Sequence, residues 1–397
     1  ASAVGNITIN KNTITANGSN VGTPLGYDSM GIETTGVHIV GGNAIVTNNN
    51  ITANNKYAVD FDGEGQVTDN EIHAEILTGD FAVDYTQDGT VLVANNTPEM
   101  ELDYKLTNDT FYIYFDEEGI IREQIEADNL TFIGEFSNLV SEIYITKPIV
   151  LLSDNATLNS IVMSVESDNV TVDGFNFKGA GSGITVLNAE NVQILNNNLT
   201  VDGLNDSSNV CIKILNSDNV LLDNNTVTFS VETNDTYLNA AIVAENSDNL
   251  IMGGNIINAL LPARSVNWTS GEVYSQGVFL NGCDNAVLER NIIGVKSNDQ
   301  ISTYDTIYAV NIKGDNATLT ENILGVVEAP YGYALVITGE NFNITENYFA
   351  AGENGTYACG IDVESNSNGV INENIISANG DSAYGIYTAD WAGDVKA

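Results

Sequence analysis

The stretch of sequence that decides the fold is NSDNVLLDNNTVT, residues 216–228. A polar Ser-Asp-Asn corner leads into a short apolar alternation, which is followed by an asparagine pair and a β-branched run. Variants of this phrase recur along most of the chain, and in the second half their asparagines are 25 to 36 residues apart. These asparagines are Asn225, Asn255, Asn291, Asn322, Asn347 and Asn374. Such a repeat is typical of an architecture in which each copy adds one stacked unit.

Each copy contains two or three short β-favouring runs with period-two alternation, separated by Gly, Asn and Asp. The variable repeat length disfavours helical repeats and suits fixed strands joined by loops of different length. The sequence therefore predicts an all-β chain folded as a right-handed parallel β-helix, with rungs ~4.8 Å apart. Corner asparagines are expected to stack on those of the next coil. A β-sandwich array is the alternative, although it would need hairpin turns at regular spacing.

The phrase divides the chain into three parts. Residues 1–100 carry it and are predicted to end a first β-helix array, whereas residues 148–397 form a second array. Residues 101–147 lack the phrase and are acidic and aromatic, so they are predicted to be a connector and cap. Within the connector, Asp109-Thr110 is expected to cap one short helix that ends at Gly119, and strands are expected near 129–133 and 142–145.

The chain is strongly acidic: it has 12 basic and 53 acidic residues, which gives a formal net charge of −41. A surface of this kind repels nucleic acid and anionic lipid, so neither is expected as a partner. No apolar run is long enough to span a bilayer, and no membrane insertion is expected in this segment. The chain begins in mid-pattern, which suggests a mature product or a fragment of something longer.

The connector resembles the start of a β-helix module in the adhesin-like surface proteins of methanogenic archaea. The resemblance rests on YFDEEG at 114–119, ADNLTF at 127–132, ITKPI at 145–149 and NATL at 155–158. The repeats at 161–385 resemble those of the same family and of the wider pectin-lyase-like superfamily. The resemblance implies a secreted, wall-associated or surface-displayed protein, and it transfers no catalytic residues.

Because the superfamily also contains polysaccharide lyases, hydrolases and epimerases, catalytic motifs must be considered. The two histidines, His38 and His73, are not followed by glycine, and no arginine has lysine two residues later. Arg290 beside Glu289 and Asp284 is the nearest approximation to a lyase site, which needs carboxylates around Ca²⁺ and a basic residue. Glu289 and Arg290 are more simply interpreted as a surface ion pair. No catalytic residue is therefore predicted.

No metal site is predicted, although the acidic loops suit weak Ca²⁺ binding. The candidates are Asp60-Phe61-Asp62-Gly63-Glu64 and Asp315 beside Asn316. Neither matches an EF-hand or a Gly-Gly-x-Gly-x-Asp repeat. No other cofactor is expected.

Long polar excursions interrupt the phrase and are the expected location of function, because the coils supply a rigid support. Five Asn-x-Ser/Thr sequons in loop-like segments are candidates for glycosylation: Asn17, Asn205, Asn234, Asn267 and Asn354. The excursions also contain aromatic side chains suited to stacking on sugar rings or anchoring a protein partner: Tyr237, Trp268, Tyr274 and Tyr304. Packing of these rings on their own loops is the alternative.

The sequence thus favours a non-enzymatic extracellular protein of the cell surface or cell wall, either an adhesin or a structural rod. Its expected partners are a glycan or protein on another cell, the cell wall, or neighbouring copies of itself. A carbohydrate-active enzyme built on a β-helix is the first alternative. A fibre like those of viral tails is the second.

Overall fold

The computed structural model describes residues 7–16, 36–54, 57–74, 77–85, 91–98, 102–202, 208–231, 238–261, 264–265, 274–297, 305–364, 366–388 and 395–396. The chain is nearly all-β, with 64% strand against 3% helix, which confirms the predicted fold class. It divides into two compact units. One comprises Ala1–Asp103 with Glu123–Glu126, and the other comprises Tyr104–Arg122 with Ala127–Ala397.

The first unit contains two sheets whose neighbouring strands are parallel. One sheet contains Ile7–Asn10, Val37–Thr47, Val59–Thr68, Val83–Tyr85 and Val91–Ala94. The other contains Thr13–Ala16, Asn50–Ala53 and Glu71–His73, and a 3₁₀ turn spans Gly79–Ala82. Since strands of the two sheets largely alternate along the chain, each pass adds one rung to both.

Corner asparagines join the coils of the first unit. The backbone N–H of Asn12 donates to Oδ1 of Asn49 (2.9 Å), that of Asn49 to Asn70 (2.9 Å), and that of Asn70 to Asn96 (3.0 Å). The series finishes on a carboxylate, because Oδ1 of Asp80 accepts both the backbone N–H and the amide of Asn96 (3.0 and 2.6 Å). The predicted stacking of asparagines is therefore present in this unit.

The second unit opens with a short helical segment, the 3₁₀ turn Asn108–Thr110 followed by the helix Phe111–Tyr114. Thr107 is the N-cap of the 3₁₀ turn, and the N-cap of the helix is Thr110, one of the two residues predicted for this role. The helix ends well before Gly119, the predicted stop, because the next residue after it has extended backbone (φ −124°, ψ 152°). In the described part of the chain, no helix has both the length and the apolar character needed to cross a membrane.

Aromatic side chains fill the interior where the second array begins. Phe111 and Phe115 stack with ring centroids 4.8 Å apart, and Phe115 contacts Phe132 at 6.1 Å. Phe132 in turn makes an edge contact with Phe175 at 5.1 Å, and all four rings are buried. The short helix thus supplies apolar side chains to the first coils, as a cap on a stacked core must.

The predicted connector, 101–147, includes the first coil of the second array. Its strands Asn129–Phe136 and Glu142–Ile145 pair in parallel with Val150–Asn159 and Val162–Val165. Large apolar side chains already alternate inward in these two strands, although the asparagine phrase has not yet begun. The hydrophobic alternation, rather than the phrase, therefore marks where the coils start.

Three parallel sheets, termed A, B and C, form the second unit. Sheet A contains Glu142–Ile145, Val162–Val165, Gly183–Leu187, Ser208–Leu215, Leu238–Glu245, Tyr274–Asn281, Asp305–Lys313, Tyr331–Thr338 and the second parts of Tyr348–Val363 and Ile375–Thr388. Sheet B contains Lys105–Leu106, the first parts of Asn129–Phe136 and Val150–Asn159, Thr171–Asp173, Gln193–Leu195, Leu221–Asp223, Ile251–Gly253, Val287–Glu289, Thr318–Thr320, Phe342–Thr345, Gly369–Asn372 and Val395–Lys396. Sheet C contains the second parts of Asn129–Phe136 and Val150–Asn159, Asn176–Lys178, Asn198–Asp202, Thr226–Ser230, Ile256–Leu261, Ile292–Ser297, Ile323–Val327 and the first parts of Tyr348–Val363 and Ile375–Thr388.

The chain passes through sheets A, B and C in turn, and each strand pairs with its equivalent in the next coil. The two-residue strand Arg264–Ser265 is antiparallel to the start of Asp305–Lys313. Every other strand pair among the described residues is parallel. This topology confirms the parallel β-helix and excludes the β-sandwich, which is built from antiparallel strands.

The asparagines that follow the sheet B strands form a buried ladder. Nδ2 of Asn225 donates to Oδ1 of Asn255 (3.0 Å) and to the carbonyl of Ile194 (2.8 Å), and its Oδ1 accepts the amide of Asn197 (3.1 Å). The same pattern continues to Asn374 with amide-to-amide distances of 2.9 to 3.0 Å. The ladder predicted from the repeat is therefore confirmed, and it lies inside the coil rather than on its surface.

A second ladder lies at the corner between sheets A and B. The backbone N–H of Ser217 donates to Oγ of Ser247 (3.0 Å), and Cys283 occupies the equivalent position in the next coil, with its thiol 3.4 Å from the carbonyl oxygen of Ala244. Burial raises the pKa of Cys283 to about 11, so the thiol stays protonated. All three cysteines of the chain are buried and free of disulfides, as expected for small core residues.

Candidate functional site

Most of the predicted site residues lie outside the part of the chain that the structure describes. These are the sequons Asn17, Asn205, Asn234 and Asn267 and the aromatic residues Tyr237, Trp268 and Tyr304. The backbone of Asn354 lies within Tyr348–Val363, where the pairing register shifts between Ala351 and Gly355. Tyr274 is the first residue of the strand Tyr274–Asn281 rather than a loop residue.

Three excursions predicted from the sequence, 202–209, 231–239 and 262–276, interrupt consecutive coils at the same corner. Of these, residues 202, 208–209, 231, 238–239, 264–265 and 274–276 lie within the described part of the chain. Because the flanking strands of sheets C and A are stacked in parallel register, the chain leaves sheet C and rejoins sheet A at equivalent positions. A lateral patch formed by the three excursions stays a prediction.

Next to this corner, the outer surface of sheet A is rich in tyrosine. We term it the tyrosine face. Two columns of residues in register define it, together with Tyr331 and Tyr357 at its edge: Gln276, Tyr308, Tyr333, Cys359 and Tyr384 in the first column, and Phe279, Asn311, Val336, Asp362 and Tyr387 in the second. The pairing register skips one residue of each strand between the two columns, so residues three apart in sequence share the outer face. In the first four of these strands, the residues between the columns are buried.

The tyrosine rings form a continuous ladder along the coil axis. Ring centroids are 5.3 to 5.6 Å apart in the pairs Tyr308–Tyr333, Tyr333–Tyr357, Tyr331–Tyr357, Tyr357–Tyr384 and Tyr384–Tyr387. These separations are those of attractive aromatic pairs. Much of each ring face is used in the ladder, so ring edges and hydroxyl groups remain for other molecules. Tyr384 and Tyr387 are the most open, with 43% and 41% of their surface exposed.

Buried amides accompany the ladder. Gln276 is fully buried, yet both its Oε1 and its Nε2 have no hydrogen-bond partner among the described residues. Asn311, which is 3% exposed, has the same deficit at Oδ1 within that part of the chain. A buried polar group without a partner costs about 1–3 kcal/mol, and native proteins tolerate few of them. Within the part of the chain that the structure describes, these two amides are therefore exceptions to the usual pairing of buried polar groups.

One carboxyl group, Asp362, lies in the second column of the tyrosine face. Burial, and to a smaller extent the charge of Glu364, raises its pKa from 3.8 to about 7. Burial also raises the pKa of Tyr333 and Tyr357 above the ordinary tyrosine value. At neutral pH, Tyr333 and Tyr357 therefore carry protonated hydroxyl groups, on the same face as a carboxyl group that is part protonated.

Arg290, the nearest approach to a lyase-type base, lies at a corner away from the tyrosine face. Its guanidinium contacts the carboxylate of Glu289, and the two side chains are 60% and 41% exposed. The third member, Asp284, accepts the backbone N–H of Asp315 through Oδ1 (2.7 Å). The geometry matches a solvent-exposed ion pair, which contributes little to stability and offers no enclosed site.

The two histidines are also at the surface. His38 lies 3.4 Å from Asp60, and His73 lies 3.5 Å from Glu71, with the imidazoles 47% and 39% exposed. Over the described ranges, no group of three His, Cys, Asp or Glu side chains is arranged to hold a metal ion. Oδ1 of Asp315 accepts the backbone N–H of Glu340 (2.7 Å), so this candidate carboxylate takes part in the corner between coils. Weak Ca²⁺ binding stays a prediction.

The tyrosine face was not predicted from the sequence. Its signal is present, because Tyr308, Tyr333 and Tyr384 are each followed by a small residue and then an aliphatic one. The interval from Tyr308 to Tyr333 equals that from Asn322 to Asn347 in the ladder. Aligning tyrosines on the asparagine repeat would have placed them in one column.

Comparison with known proteins finds similarity to solved structures at low sequence identity. No protein-family model and no curated protein matches the chain. Among solved structures, the chain is similar to an alginate lyase from Paenibacillus sp. str. FPU-7, with 12% identity over 74% of this chain and 99% of that one and a TM-score of 0.42. It is also similar to PfbA, a surface adhesin of Streptococcus pneumoniae, with 12% identity over 71% of this chain and 93% of that one and a TM-score of 0.42. These neighbours are pectin-lyase-like β-helix proteins that include an enzyme and an adhesin, and the similarity concerns their fold.

Proposed function

We propose that the chain is a non-enzymatic extracellular surface protein, an adhesin or structural rod, whose tyrosine face binds a glycan. The tyrosine ladder carries the proposal, because its end at Tyr384 and Tyr387 is the most open part of the face. Tyrosine edges and hydroxyls are suited to the apolar and polar sides of a sugar ring.

The net charge of −41 narrows the class of glycan. A polyanionic chain such as a uronate polymer is repelled by a surface with this charge. Neutral or amino-substituted glycans meet no such barrier. The proposed ligand is therefore a neutral or cationic polysaccharide.

The proposed setting is the outer surface or wall of a cell, of the kind implied by the resemblance to adhesin-like proteins of methanogenic archaea. The proposed partners are glycans or proteins of another cell, the cell wall, or neighbouring copies. A fibre like those of viral tails is the further alternative, and a trimer measured by light scattering in solution would favour it.

The test is a glycan array probed with the intact chain and with the double variant Tyr384→Ser and Tyr387→Ser, which removes the two most open rings of the face. We expect at least a tenfold loss of affinity for the glycan that binds the native chain, because aromatic anchors contribute much of a binding energy. Tyr348→Ser, an equally exposed tyrosine on sheet C, is the control and should bind that glycan as the native chain does. Unchanged affinity in the double variant would refute the proposed site.

A carbohydrate-active enzyme is the second candidate function, and Asp362 is the observation that favours it. A carboxyl group whose pKa is raised to about 7 is suited to general acid catalysis at neutral pH. The measurement is product release from neutral glycans, with and without added Ca²⁺, compared between the native chain and Asp362→Asn. Turnover that disappears in Asp362→Asn would replace the binding proposal with the enzymatic one.

A further inference from the structure

The outer surface of sheet C carries an exposed apolar stripe. Ile256, Ile292, Ile323, Tyr348 and Ile375 are register partners in consecutive rungs. Their exposed fractions are 40%, 43%, 47%, 41% and 66%. At ~4.8 Å per rung, the stripe is roughly 19 Å long. Exposed apolar patches rimmed by polar residues mark interaction sites.

A shallow floor runs beside the stripe. The next outward column contains Gly294 and Gly325, which are register partners. A Cβ added to Gly294 would meet only Oδ1 of Asn258 at 3.7 Å, and one added to Gly325 only the carbonyl oxygen of Ala350 at 3.8 Å. Neither glycine has a positive φ, so neither the backbone nor the packing requires glycine there. Glycine weakens a strand interior and often marks close approach of another backbone.

Glutamates rim the stripe on the corner before it. Glu321, Glu346 and Glu373 are exposed, and each lies two residues before a residue of the stripe. All three have positive φ, between 56° and 60°. Earlier coils place Asn224, Gly254 and Arg290 at this corner, and the Asn and Gly adopt such a backbone readily. The guanidinium of Arg290 contacts the carboxylate of Glu289 beside it. The last three coils place like charges in one column at positions where glutamate is conformationally disfavoured.

The opposite side of the stripe carries no excess charge. The sheet C segments 256–261, 292–297, 323–327, 348–351 and 375–378 contain no Asp or Glu. Their one basic residue, Lys296, forms an ion pair with Glu328 at 2.8 Å. The surface therefore consists of an apolar line with a glycine floor, one acidic rim and one neutral rim.

We propose that this surface binds a basic amphipathic α-helix of a partner protein, laid along the coil axis. The length of the stripe matches a helix of about 13 residues at 1.5 Å per residue. Helix side chains at i, i+3 and i+7 advance by about 4.5–6 Å, close to the ~4.8 Å rung spacing, so they meet successive isoleucines. Lysines or arginines on one flank then face the glutamate column. A second copy of this acidic chain would bring like charges together.

The experiment measures binding of a synthetic Leu/Lys amphipathic helical peptide of about 14 residues to the intact chain by fluorescence anisotropy. A peptide of the same composition with a scrambled apolar pattern is the first control. A second peptide keeps the apolar face but replaces Lys with Glu. We expect the amphipathic basic peptide to bind at least tenfold more tightly than either control.

Variants of the chain then locate the site. Ile292→Ser with Ile323→Ser should weaken peptide binding about tenfold or more, since two central contacts are lost. Ile251→Ser, an equally exposed position on sheet B, is the matched control and should change nothing. Gly325→Val should fill the floor and weaken binding without loss of thermal stability, because its Cβ has room.

The triple variant Glu321→Gln, Glu346→Gln and Glu373→Gln should bind the basic peptide more weakly, and its affinity should depend less on salt concentration. Equal binding by both basic peptides, or no difference between the stripe variants and Ile251→Ser, would overturn the proposal. So would concentration-dependent dimerisation that Ile292→Ser with Ile323→Ser abolishes, because a second copy would then be the occupant. Retention on neutral lipid vesicles that requires the stripe would overturn it in favour of a membrane surface.

Discussion

At the scale of single residues, the buried asparagine ladder makes Asn225 a stability determinant. Its amide and carbonyl bond to Asn255, Ile194 and Asn197. Asn225→Ala leaves buried groups in neighbouring coils without partners, and we expect the free energy of unfolding to fall by roughly 2–4 kcal/mol. Urea denaturation followed by circular dichroism measures it. Asn198→Ala, at an exposed strand position, is the control, and an unchanged midpoint in Asn225→Ala would contradict the ladder's role.

Asp362 should make stability depend on pH. Its pKa is raised from 3.8 to about 7 in the folded chain, so the folded state holds the proton more tightly than the unfolded state. Its contribution is therefore full below the ordinary pKa and is lost as pH rises through about 7. We expect the free energy of unfolding to fall more in the native chain than in Asp362→Asn as the pH rises from about 5 to about 8. Parallel pH profiles of the two proteins would refute the assignment.

At the scale of structural elements, the aromatic cluster at the start of the second unit should hold its first coil. Phe132 is fully buried and contacts Phe115, Phe136 and Phe175. Phe132→Ala should destabilise this coil by about 3–5 kcal/mol. Hydrogen exchange of the amides in Asn129–Phe136 and Glu142–Ile145 measures the effect locally.

Ile133→Ala is the matched control, since the side chain of Ile133 is only half-buried in the same strand. Its amides should exchange as in the native chain, apart from a small change near the substitution. If Phe132→Ala left exchange in the first coil unchanged, the cluster would have no part in holding that coil.

The sequence predicted the elements that repeat and missed those that do not. The coils, the corner asparagines and the parallel pairing follow from one phrase, because each copy faces the same neighbours and needs the same residues. The first coil at 129–145 lacks the corner asparagine, and its inward alternation of large side chains was the only signal. The 3₁₀ turn before the helix was also missed, because its N-cap Thr107 is fixed by a bond from its backbone N–H to Oγ1 of Thr110 (2.9 Å), a local contact that spacing does not reveal.

The candidate site was harder to predict, because it depends on neighbours from different coils. Tyr331 and Tyr357 stack at 5.6 Å although they are far apart in the sequence. Gln276 is unremarkable in sequence, and only its burial without partners among the described residues distinguishes it. Register between coils of unequal length must be known before such residues can be grouped.

At the scale of the whole molecule, a net charge of −41 makes self-repulsion a general destabilising term. Raising NaCl from about 0.1 M to 1 M shortens the screening length from about 10 Å to 3 Å. We expect the melting temperature to rise over this range. The triple replacement of Glu321, Glu346 and Glu373 by Gln should melt at a higher temperature in low salt and gain less from added salt. A melting temperature that falls with NaCl would contradict this account.

In the asparagine ladder, the geometry of a corner does not depend on the number of residues in the coil. Asn255 and Asn291 are 36 residues apart and Asn322 and Asn347 are 25 apart, yet both pairs are joined amide to amide at 2.9 Å. Each coil therefore re-establishes its register on the previous one, whatever was inserted between them. A gene segment encoding one coil can then be duplicated, lengthened or exchanged without redesign of its neighbours. Surface loops can then vary in length and sequence while the corners that flank them keep a constant spacing along the coil axis.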